Sequence, residues 1–94
     1  MMNISDRNRY KPEGYQALVP TASTALTVPT GARYALITTE VQACRITDDG
    51  TTPTLAVGLL LKVTDPPLWY AGKLESILIM NAVAGALVKV LYYS

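Results

Sequence analysis

The stretch Arg45-Ile46-Thr47-Asp48-Asp49-Gly50-Thr51-Thr52-Pro53-Thr54 decides the fold class. Two adjacent carboxylates before a glycine suit a metal loop, an acid/base pair or a tight turn, and each implies a different molecule. A calcium loop needs further oxygen ligands at regular spacing and a distal Glu, and the residues from Thr51 to Leu55 supply no acid. Glycosidase chemistry needs two carboxyls about 5 to 10 Å apart across a cleft, whereas turn neighbours share one exposed edge. Gly50 supplies a positive φ at low cost, and Asp-Gly between apolar alternating runs is a strong hairpin signal. The stretch therefore reads as a turn between two strands.

The same period of two extends on both sides. Leu26 and Val28 flank Thr27; residues 55, 57, 59 and 61 are all large and apolar; Val88, Val90 and Tyr92 alternate with Leu87, Lys89, Leu91 and Tyr93. Val28-Pro29-Thr30-Gly31, Asp48-Asp49-Gly50, Asp65-Pro66-Pro67 and Ala71-Gly72 separate these runs at the spacing of an antiparallel sandwich. Strands are expected near 16–19, 24–28, 33–38, 41–47, 54–62, 68–70, 74–80 and 86–93. Residues 74–84 have a composition that suits a helix as well as a strand. They are assigned to a strand because a lone helix would leave the preceding sheet unpartnered. The fold class is all-β: an antiparallel β-sandwich of jelly-roll type over residues 15–94, preceded by an extended polar N-terminal arm over residues 1–14.

Composition narrows the function classes. The chain has 94 residues, half of them apolar and 16% charged, with a formal net charge of +1. That is one small domain with one core, and its low charge suggests that some apolar surface is covered by another molecule. No basic excess points to nucleic acid, and no segment reads as a signal peptide or as a span of about 30 Å of hydrocarbon. The chain lacks histidine and has a single cysteine, Cys44, expected to be buried in a strand. A catalytic serine or thiol would have no base, the glycines stand singly, and no cofactor, metal or catalytic set is expected.

Trp69 and Tyr70 are adjacent aromatics after a proline pair. They suit either a rim that closes the sandwich or anchors in a protein interface. In the arm, Ile4 and Tyr10 are candidate apolar anchors and Arg7 and Arg9 candidate rim charges for contact with a neighbouring subunit. A different class is a small carbohydrate-binding module, in which Trp69 and Tyr70 stack on a sugar while Asp48 and Asp49 hold its hydroxyls.

The succession Ala32-Arg33-Tyr34-Ala35-Leu36-Ile37, Arg45 with Asp48-Asp49-Gly50, Pro53-Thr54, Val57-Gly58, Trp69-Tyr70-Ala71-Gly72-Lys73-Leu74 and Val90-Leu91-Tyr92-Tyr93 resembles a family of small β-proteins from the structural gene clusters of tailed bacteriophages. Ile46 follows the arginine where many of those proteins carry an aromatic. The resemblance implies a non-enzymatic virion protein assembled in the host cytoplasm: a capsid decoration or cement protein, or else a neck or tail accessory. The partners it implies are other virion proteins, above all the major capsid protein, and further copies of the chain.

Overall fold

The computed structural model describes residues 9–94. Eight strands form in the order β1 (Pro12–Leu18), β2 (Thr24–Ala25), β3 (Tyr34–Glu40), β4 (Cys44–Thr47), β5 (Leu59–Leu61), β6 (Leu68–Tyr70), β7 (Leu78–Asn81) and β8 (Leu87–Tyr93). They build two four-stranded antiparallel sheets, ordered β1-β8-β3-β6 and β2-β7-β4-β5. First pairs with eighth, second with seventh, third with sixth and fourth with fifth. This is a long antiparallel ribbon rolled onto itself, the jelly-roll arrangement.

Alternation places the core between the sheets. Ala35 and Ile37 of β3, Cys44 and Ile46 of β4, Ile79 of β7 and Val88, Val90 and Tyr92 of β8 all point inward and are buried. The Tyr92 hydroxyl donates to Gln16 Oε1 at 2.6 Å, and the same oxygen accepts the Thr27 backbone N–H at 3.1 Å. A buried phenol is thus satisfied, and residues 27–31 are held against one flank of the sandwich. Pro29 lies so close to Gly14 that a Cβ there would sit 2.9 Å from its ring.

Several boundaries differ from the sequence expectation, each for a local reason. β1 begins at Pro12, inside the expected arm, and just before it Lys11 and Ser94 exchange both backbone hydrogen bonds at 2.9 and 2.8 Å. Residues 26–28 leave the sheet because the Thr27 N–H turns to Gln16. Residues 54–58 are not strand: the Thr54 hydroxyl accepts the N–H groups of Ala56 and Val57 at 3.2 and 3.0 Å, folding the chain into a local turn. Leu55 and Val57 are consequently exposed, Leu59 is exposed at the start of β5, and of the expected apolar face only Leu61 is buried.

Residues 74–76 form one 3-10 turn before β7, closed by the Ile77 N–H donating to the Leu74 carbonyl at 3.1 Å, which buries Leu74 and Ile77. Val41, expected in a strand, has φ 72° at the tip between β3 and β4. The Gln42 N–H donates across it to the Glu40 carbonyl at 2.8 Å, a γ-turn that a β-branched residue rarely enters. The Thr39 hydroxyl, donating to the Gln42 carbonyl at 2.7 Å, holds it there.

Candidate functional site

The turn that opened the question connects β4 to β5. Asp49 Oδ1 accepts the Thr51 N–H at 3.0 Å, the Thr47 hydroxyl donates to the Thr51 carbonyl at 2.6 Å, and Gly50 has φ 90°. Hydrogen bonds from the Thr51 backbone N–H and, second, its side chain hold the Asp49 carboxyl below its ordinary pKa. Asp48 faces elsewhere, accepting the Tyr70 hydroxyl at 3.0 Å. The two carboxylates are therefore engaged separately, and among the described residues no three His, Cys, Asp or Glu side chains gather.

Trp69 and Tyr70 also diverge, because successive strand residues point to opposite faces. Tyr70 packs against the core edge, and burial together with the bond to Asp48 raises its pKa. Trp69 points away from the core. Its ring stacks on Tyr34, with centroids 5.3 Å apart and planes 15° apart, and also meets Tyr10 at 5.0 Å and Tyr93 at 5.8 Å. The sugar platform expected of Trp69, Tyr70, Asp48 and Asp49 is thus split between two faces, and one ring face of Trp69 is already covered by Tyr34. Nor does Trp69 close an end of the sandwich. It is the hub of an aromatic cluster on the outer face of the β1-β8-β3-β6 sheet.

Cross-strand register shows how far this face extends. Tyr15 pairs with Leu91, Leu91 with Leu36, and Leu36 with Trp69, so one row crosses all four strands. An outward row in a sandwich is ordinarily polar. Here it is wholly apolar: Tyr15 is exposed, and Leu91, Leu36 and Trp69 are half-buried. The next row holds Ala17, Lys89 and Thr38, with Lys89 Nζ 3.5 Å from Glu40 and 6.0 Å from the centre of the Tyr15 ring. A charged border thus limits the patch on one side. No family model, curated protein or solved structure matches the chain.

Of the residues singled out from the sequence, Tyr10 and Trp69 come together on this face. Tyr70 lies on the other side of its strand, Arg9 is exposed, and Ile4 and Arg7 lie outside the described residues. Leu36 and Leu91 were not foreseen as surface residues. They become a surface only through pairing between strands distant in sequence.

Proposed function

We propose that the protein is a non-enzymatic structural component of a tailed-bacteriophage virion. It acts as a capsid decoration or cement protein whose outer β1-β8-β3-β6 face seats on the major capsid protein and its neighbours. The observation that carries this reading is the apolar Tyr15-Leu91-Leu36-Trp69 row with its aromatic cluster. Contiguous apolar surface with aromatic anchors and a charged rim is the composition of a protein interface. Jelly rolls serve as viral capsid domains and as lectins alike, so the fold alone does not choose between them. The divergence of Trp69 from Tyr70, Asp48 and Asp49 favours the structural role.

The test is co-sedimentation of purified protein with separated heads and tails of the phage whose genome encodes it. Pelleting with heads that Tyr15→Lys and Leu91→Lys weaken supports decoration. Pelleting with tails moves the protein to the neck or tail. Pelleting with neither, or binding that both substitutions leave unchanged, rejects the face as the attachment surface.

A further inference from the structure

The four strands at the edges of the two sheets are protected unequally. β1 has residues 27–31 held along its flank, through Thr27 on Gln16 and Pro29 against Gly14. β2 is only two residues long, and β6 follows Pro66 and Pro67, which have no N–H to offer a new strand. β5 is also short, at three residues, but has neither a proline immediately before it nor a covering segment among the described residues. Its side away from β4 carries no strand partner among the described residues, and no residue from Thr51 to Leu61 is ionisable. Leu59 within β5 and Leu55, Val57 and Val63 close to it in sequence are 61, 58, 44 and 47% exposed. Beside β5 runs a groove of about 400 Å³ lined by Leu59, Leu60, Leu61, Leu68 and Trp69, with Asp65 its one charged residue.

We propose that β5 pairs with β5 of a second copy, antiparallel and centred on Leu60, to give a two-fold dimer with one continuous eight-stranded sheet. Charge and symmetry select this occupant. The edge segment itself, Thr51 to Leu61, carries no charge, and the charges around it, Asp65, Asp48, Asp49 and Arg45, lie on neighbouring segments, so a strand with charges of its own would desolvate them against leucine. A copy of β5 brings none: with Leu60 opposite Leu60, Leu59 faces Leu61, and Lys62, the first ionisable residue beyond β5, faces Gly58. Antiparallel pairing of a strand with itself is isologous, so the assembly closes at two copies. The exposed apolar area is a few hundred Å² per copy, on the order of an interaction patch but short of the roughly 1,200 Å² of a tight complex. The dimer therefore dissociates in the micromolar range, between roughly 1 and 100 μM. This surface adjoins the outer-face row at Trp69, at the end away from Tyr15, and does not depend on the virion reading.

Sedimentation equilibrium of the purified chain from about 1 to 200 μM is expected to show a monomer–dimer equilibrium. Leu59→Lys, at an exposed position, should keep the native melting behaviour and weaken association by about tenfold or more. Tyr15→Lys, on the outer face, should leave association unchanged. Cys44 is buried, so Leu60→Cys can be read without removing it; under mild oxidation it should give a covalent dimer, because cross-strand Cα atoms about 5 Å apart allow a disulfide. A monomer at the highest concentration overturns the proposal. So does a dimer that Tyr15→Lys breaks and Leu59→Lys spares, or one in which Leu60→Cys does not cross-link.

Discussion

Gly50 and Gly58 bracket the β4–β5 connection, and replacing each by alanine separates two costs that are usually confounded. Both have positive φ, 90° and 120°. At Gly50 a Cβ would meet nothing within 4 Å. Gly50→Ala should therefore cost only the conformational penalty, about 1 kcal/mol. At Gly58 the same Cβ would lie 3.2 Å from the Ile46 carbonyl oxygen, 3.3 Å from the Ile46 nitrogen and 3.2 Å from the Arg45 Cβ. Those atoms belong to β4, which is paired on both sides by β5 and β7 and cannot yield as a loop would. A backbone displacement of a few tenths of an ångström there adds about 1 to 3 kcal/mol, the range for overpacking. The expected loss for Gly58→Ala is thus about 2 to 4 kcal/mol, a large fraction of the roughly 5 to 15 kcal/mol that holds a domain together. Urea unfolding followed by the fluorescence of Trp69, the only tryptophan, measures both variants at equal m. Losses that agree within about 0.5 kcal/mol would refute the close approach of residue 58 to β4.

Other perturbations test the core and the arm. Burial raises the Cys44 thiol to about 11, so at pH 8 its thiolate fraction falls about 100-fold and native labelling by a thiol reagent should be slower than denatured labelling by at least that factor. Burial likewise raises Tyr92 from 10.0 to about 12. A raised folded value means stability fully present below pH 10 and lost as pH rises through 12, by on the order of 2 to 3 kcal/mol, and Tyr92→Phe should flatten that alkaline decline in urea titrations. For Asp49 the folded value is lowered, so its contribution is present above the ordinary carboxylate range and lost as pH falls through the lowered value. Asp49→Asn should change the melting temperature little at neutral pH and remove that acid dependence. Deleting residues 1–12 should lower the melting temperature, because that cut removes Tyr10 from the aromatic cluster and Lys11 from its paired bonds with Ser94.

What the sequence disclosed follows from the range of the interactions involved. Turn chemistry and period two are local, so all eight strands were legible near their true places, as were the burial of Cys44 and the inward row of Val88, Val90 and Tyr92. Residues 54–58 failed because a hydroxyl at Thr54 captured two backbone N–H groups, a short-range competitor that an apolar alternation does not reveal. Val41 failed because the turn between β3 and β4 is tighter than a β-branched residue would suggest. The candidate surface was half legible. Trp69 and Tyr10 stood out as aromatics, but the row that joins Trp69 to Tyr15 depends on β1 meeting β8 and β3 meeting β6, and such distant register is written in no single stretch of the chain.

The rolled ribbon also constrains when the molecule can come into being. β8 lies between β1 and β3, so the last of these eight strands to be synthesised is an interior strand of its sheet. Until Leu87–Tyr93 is available, β1 has no neighbour, β3 has β6 alone, and Ala35 and Ile37 have no β8 side chains to pack beside. A nascent chain that stops short of Leu87 can pair β2, β7, β4 and β5 but lacks the strand that joins β1 to β3, so the sandwich closes only late, through contacts distant in sequence. Every incomplete chain displays unpaired apolar strands, which makes premature termination, more than point substitution, the route by which this protein would aggregate.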